Sequence, residues 1–183
     1  MLSKSLISFG LLLSAVSVSA SRHSKRADSQ FNLYAYGTNV GIGGLPLFNV
    51  NGSAYIAIGA QFGSDSENPN VTFTMTDRVV SIAQNDNSST EVGANLAFNE
   101  SGNDYISFTT TPSTSQTTSG FFWFGNLLFF KSAAGVLSSS FYAEPTGRDG
   151  IWKIQWLADK TKAGKSVPIA FKRDAPGRDA KVT

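Results

Sequence analysis

A chain of 183 residues with 15 Lys+Arg, 13 Asp+Glu, one histidine and no cysteine is long enough to bury the core of one domain. The absence of thiols excludes a disulfide framework. Once the segment carrying His23 is removed, zinc sites and Ser-His-Asp or Cys-His nucleophile systems lack their ligand or base.

Chain order begins with a processing signal. Lys4 supplies the positive end, the stretch from Leu6 to Val18 the apolar core, and Val18-Ser19-Ala20 the small residues at a cleavage site. A signal peptide over residues 1–20, cut after Ala20, is expected. A short pro-segment over 21–26 comes next, ending in the dibasic pair Lys25-Arg26, where secretory-pathway proteases would cut. Lys4, Arg22, Lys25 and Arg26 are four of the 15 basic residues, so the trimmed chain carries 11 basic against 13 acidic side chains. Its net charge of −2 gives no reason to expect a nucleic-acid partner.

From residue 27 the pattern is short strands and turns. Phe31 to Tyr36 alternates and stops at Gly37. Gly41-Ile42-Gly43-Gly44 is a glycine-rich turn that fits neither a dinucleotide fingerprint nor a P-loop, since no helical period succeeds it and Pro46 interrupts. Leu47–Val50 and Ser53–Ile58 flank Asn51-Gly52, a two-residue hairpin turn. Strands are expected over Val71–Met75, Arg78–Ala83, Gly93–Phe98 and Tyr105–Thr110, with polar loops at 61–69 and 84–90. The Ser/Thr tract 111–119 suits an exposed loop and O-glycosylation.

The run Phe121-Phe122-Trp123-Phe124-Gly125-Asn126-Leu127-Leu128-Phe129-Phe130 is too short to cross a bilayer as a helix, which takes about 20 residues. It reads as a strand or tight hairpin buried on both faces, with the other strands wrapped around it. Strands at Ser138–Ala143, Ile151–Leu157 and Ser166–Lys172 complete the set. The expectation is an all-β fold, a single-domain β-sandwich or barrel of about ten short antiparallel strands over residues 27–173. The polar residues 174–183 read as a flexible tail, with no apolar stretch for a lipid anchor.

Residue chemistry supplies the candidate sites. Asn51, Asn70, Asn87 and Asn99 head Asn-X-Ser/Thr sequons, with Asn51 in a turn tight enough to hide it. Trp152, Ile154 and Trp156 share one strand face, opposite Lys153 and Gln155. That face is either the inward side of a sandwich or a stacking platform for sugar rings, and Tyr34 and Tyr36 raise the same pair of readings. Catalysis would have to use carboxylates; Glu144 and Asp149 flank a turn beside aromatic strands, with Glu91 or Asp104 as substitutes. The Asp65-Ser66-Glu67 loop lacks the ligand repeat of a calcium loop, so neither a metal nor a cofactor is expected.

The blocks Phe31-Asn32-Leu33-Tyr34-Ala35-Tyr36-Gly37, Ile42-Gly43-Gly44-Leu45-Pro46-Leu47-Phe48 and Ser139-Ser140-Phe141-Tyr142-Ala143 resemble those of small secreted proteins of filamentous fungi. The resemblance implies secretion and a single domain and assigns no catalytic residue. The resulting expectation is a secreted, non-enzymatic glycoprotein of the fungal cell wall or medium, without a membrane anchor, whose partner is a cell-wall polysaccharide. The alternatives are a carbohydrate-active hydrolase with paired carboxylates and an effector that binds a host protein.

Overall fold

The computed structural model describes residues 29–38, 41–57, 71–85 and 92–176. Among them run fourteen strands: β1 (Tyr34–Gly37), β2 (Gly43–Val50), β3 (Ser53–Ala57), β4 (Val71–Thr76), β5 (Val79–Asn85), β6 (Asn95–Ala97), β7 (Asn103–Tyr105), β8 (Ser107–Thr109), β9 (Phe121–Phe124), β10 (Leu127–Lys131), β11 (Leu137–Ser138), β12 (Phe141–Pro145), β13 (Ile151–Leu157) and β14 (Val167–Lys172). A single 3₁₀ turn, Lys160–Lys162, is capped by the Asp159 side chain. The fold is all-β, as the alternation of the sequence predicts.

Six strands close on themselves. β1 pairs with β2, β2 with β3, β3 with β13, β13 with β12, β12 with β14, and β14 with β1, all antiparallel. Closure removes free edges from the ring. Its start is local: Asn51 and Gly52 adopt φ of 49° and 78° and turn β2 directly into β3, the backbone that Asn-Gly accepts at least cost. So narrow a ring has room for large side chains only beside small ones. Ala35 accordingly lies across from Phe171, and Ala143 across from Ile154. Pro46 sits inside β2 because the β2–β3 ladder begins one residue later, at Leu47, so no ladder bond needs its missing N–H.

From β3 the sheet continues through β8, β6, β5 and β4. It curls back until Phe31 and Phe73 exchange backbone hydrogen bonds of 2.9 and 2.7 Å. One core fills the concave side. Phe98, Phe121, Phe130 and Phe141 gather around Trp156, with centroids 4.3–5.7 Å apart between Trp156 or Phe98 and its neighbours. A second group joins Phe73 to Phe108 and Phe31.

One expectation needs correction here. The aromatic run is not the axis of the fold. It is the β9–β10 hairpin, turned at Gly125-Asn126 and joined to the barrel through Leu127 opposite Lys172. Nor is it buried on both faces: Phe121, Leu128 and Phe130 are buried, whereas Phe124 is 68 % exposed. Of the tail, residues 174–176 lie against the barrel. The Asn126 amide donates to the Asp174 carboxylate, and the Tyr36 hydroxyl donates to the Asp174 carbonyl. The Pro176 ring lies where a Cβ on Gly44, at φ +76°, would come within 2.6 Å. Residues 177–183 lie outside the described residues.

Candidate functional site

β13 decides which of the expected residues reach the surface. Its alternation holds: Trp152, Ile154 and Trp156 lie across from Ile56, Ala143 and Phe141, all buried. That side is the barrel interior. Trp156 is 2 % exposed, and its indole N–H donates to the Glu100 carbonyl at 3.1 Å. A residue so enclosed offers no ring to a sugar. Trp156 is therefore core and is not available for stacking. Trp152, partly buried, packs against the same core.

On the opposite face of β13 Lys153 is partly exposed between the buried Ile151 and Gln155, and register carries its row across four strands. Phe48, Tyr55, Lys153 and Glu144 form one row over β2, β3, β13 and β12. Tyr105, on β7, lies beside them as the partner of Gln155. The Lys153 ammonium stands 3.9 Å above the Tyr105 ring centroid and 5.8 Å from that of Tyr55. Tyr55 in turn stacks on Phe48 at 6.5 Å and 16°. The Tyr105 hydroxyl donates a short hydrogen bond to Glu144 Oε2. That bond, followed by burial and the Glu144 charge, raises the Tyr105 pKa above the ordinary tyrosine value. Tyr105 nevertheless remains 46 % exposed.

Beside this row lies a groove of about 220 Å³ lined by Val50, Tyr55, Thr146, Arg148 and Ile151. Its wall is the turn between β12 and β13, held by hydrogen bonds from the Thr146 N–H and hydroxyl to the Ile151 carbonyl. The arrangement brings a tyrosine ring, a carboxylate, an ammonium and a guanidinium to one outer surface. Flat apolar area with donors and acceptors at its margin is what a sugar ring engages.

The other sequence candidates are scattered. Asp149 is exposed in the 146–150 turn, and no hydrogen bond among the described residues joins it to Glu144. Glu144 is held by Tyr105, and Asp104 accepts from Asn99. Tyr34 and Tyr36 are half-buried on the outer face of β1, three strands around the ring from β13. Asn51 is exposed at its turn. Asn99 uses its Nδ2 to reach Asp104 and its Oδ1 to accept from Ser101. Asn70, Asn87, Glu91, Asp65 and the processing residues Ala20, Lys25 and Arg26 lie outside the described residues. A further cleft of about 310 Å³ borders Asp77, Arg78, Glu100 and Lys131.

Sequence reasoning does not single out Tyr55, Tyr105, Lys153 or Arg148 as site residues. For Lys153 a signal exists in its alternation with Trp152 and Trp156; for Tyr105 there is none, since nothing in Asn103-Asp104-Tyr105 announces pairing with β13. Among the described residues no group of three or more His, Cys, Asp or Glu is placed to hold a metal ion, and no helix is long and apolar enough to cross a membrane. No family model, curated protein or solved structure matches the chain.

Proposed function

We propose that the protein is a secreted binding module, a glycoprotein of the fungal wall or medium, which holds a polysaccharide on the outer face of β3, β13, β12 and β7. The observation that supports this reading is the convergence of Tyr105, Tyr55, Lys153 and Glu144 beside the groove at Arg148. A pyranose ring would lie against Tyr105, with Glu144 accepting from its hydroxyls and Arg148 donating to them. The N-terminal leader and dibasic pair support export.

The test is retention of the trimmed chain on insoluble chitin, β-glucan and cellulose. Tyr105→Ala removes an exposed ring and the Glu144 contact, and is expected to weaken retention about tenfold, the scale of an aromatic contact of about 1.4 kcal/mol. Trp152→Phe, a change on the inward face, should leave retention unaltered. Equal retention of wild type and Tyr105→Ala would refute the assignment of this face. Release of soluble sugar that Glu144→Gln abolishes would favour the hydrolase.

A further inference from the structure

The β9–β10 hairpin shows two unlike faces. Phe121, Trp123, Leu128 and Phe130 turn toward the core, as the β9–β10 register and their burial require. Alternation sends Phe122, Phe124, Leu127 and Phe129 the other way. Phe129 packs against Phe122 and Phe124 with centroids 6.0 Å apart in both pairs. β11 extends this face, since Leu137 pairs with Lys131 and is 54 % exposed. A contiguous apolar surface on a secreted domain calls for an occupant.

The charges around it favour one. Lys131 ends β10 on the same outward side as Phe129. Lys172 lies opposite Leu127, its ammonium 4.5 Å from the Tyr36 ring. Arg173 covers the Trp123 ring at 5.3 Å and so belongs to the other side of the hairpin. Residues 121–131 contain no acidic side chain. Of the acidic groups around it, Asp174 is engaged by Asn126, and Asp77 and Glu100 border the cleft next to Lys131 on the hairpin's core side, where Phe130 also lines it. Tyr34 and Tyr36 continue the surface across β1, both half-buried, with the Tyr36 hydroxyl donating to the Asp174 carbonyl. An apolar tip, a tyrosine margin and a cationic rim match the layering of a lipid interface: acyl boundary, headgroup zone, anionic phosphate.

We infer that this face docks on an anionic phospholipid bilayer, with the tip around Phe124 entering the headgroup–acyl boundary and Lys131 and Lys172 contacting lipid phosphate. The contact is peripheral and reversible. It lies around the barrel from the Tyr105 face, so the two surfaces can be tested separately.

The experiment is co-sedimentation of the trimmed chain with vesicles of phosphatidylcholine, with and without phosphatidylserine. Binding is expected to require phosphatidylserine and to weaken as salt is raised. Phe124→Asp is expected to lower partitioning at least about tenfold, while Lys131→Gln and Lys172→Gln lower it about fivefold each. Because Phe124 is exposed, Phe124→Asp should melt with the wild type, which separates lost docking from lost folding. Phe124→Trp provides a second readout, a blue shift of emission on phosphatidylserine vesicles. Absence of binding to both vesicle types would overturn the inference. So would binding that Phe124→Asp leaves unchanged, or a concentration-dependent dimer that this substitution dissolves, since the occupant would then be a second copy.

Discussion

Asn49 shows how a single side chain can oppose the fold that contains it. It lies on the inward side of β2 opposite Ala54, 3 % exposed, and neither Oδ1 nor Nδ2 has a hydrogen-bond partner among the described residues. Leaving a buried amide unpaired costs about 1–3 kcal/mol. Leu has nearly the same shape, so Asn49→Leu should raise the thermal midpoint by several degrees, by about 2–4 °C for each kcal/mol recovered. A lower midpoint in differential scanning calorimetry would refute this account. Tyr105 gives a prediction of a different kind. Glu144 favours the neutral phenol, so the folded pKa lies above the unfolded one. Any stability the contact provides is complete below the unfolded value of about 10 and is lost as pH rises through the raised folded value. Ultraviolet titration of the phenolates should show Tyr36 and Tyr105 titrating late, and Glu144→Gln should move only Tyr105 back toward about 10; an unchanged titration would mean that Glu144 does not hold the phenol proton in solution.

Hairpins are legible in the sequence where their turn residues carry the backbone cost, and obscure where tertiary contacts carry it. Asn51-Gly52 announces itself. Asp77-Arg78 does not, yet it joins β4 to β5 with φ of 51° and 69°, a conformation that residues other than glycine and asparagine adopt with strain. The compensation comes from a distant segment: the Gly120 and Phe121 N–H groups both donate to the Arg78 carbonyl at 3.0 Å, and the Arg78 guanidinium donates to the Gly120 carbonyl. Gly120 itself takes φ +117°, and a Cβ there would stand 2.6 Å from the Phe130 ring and 2.8 Å from the Lys131 carbonyl oxygen. Gly120→Ala should therefore destabilise by about 2 kcal/mol or more, read as a lower denaturant midpoint. A neutral result would mean that the hairpin and the turn are not coupled. The same limit explains the aromatic run. Composition shows that a segment is apolar, whereas its two faces are assigned by strand pairings far away in sequence. On β13 the period-two pattern separates Lys153 from Trp152 and Trp156 correctly, but which side faces the core depends on closure of the ring.

At the scale of the whole molecule, closure joins the ends of the described chain, since β1 pairs with β14 and the Asp174–Pro176 segment lies against Tyr36 and Gly44. Three of the ring's six pairings, β1–β14, β3–β13 and β12–β14, join strands that are not consecutive in the chain, so much of the entropy of loop closure is spent before the barrel contacts return it. Folding should accordingly take milliseconds to seconds, as in other domains dominated by distant pairings. The two regions should also unfold together. Phe121 and Phe130 of the hairpin contact Phe98, and Phe130 contacts Trp156 inside the ring. Opening either region would therefore expose the aromatic cluster that holds the other. Trp123 reports on the hairpin and Trp156 on the barrel, so variants retaining one tryptophan each should show coincident denaturant transitions and equal slopes. A Trp123 transition well below that of Trp156 would divide the molecule into two cooperative units. The hairpin could then detach at a lipid surface without loss of the barrel, and the Phe124 face would act as a moving part and not as a fixed relief of the fold.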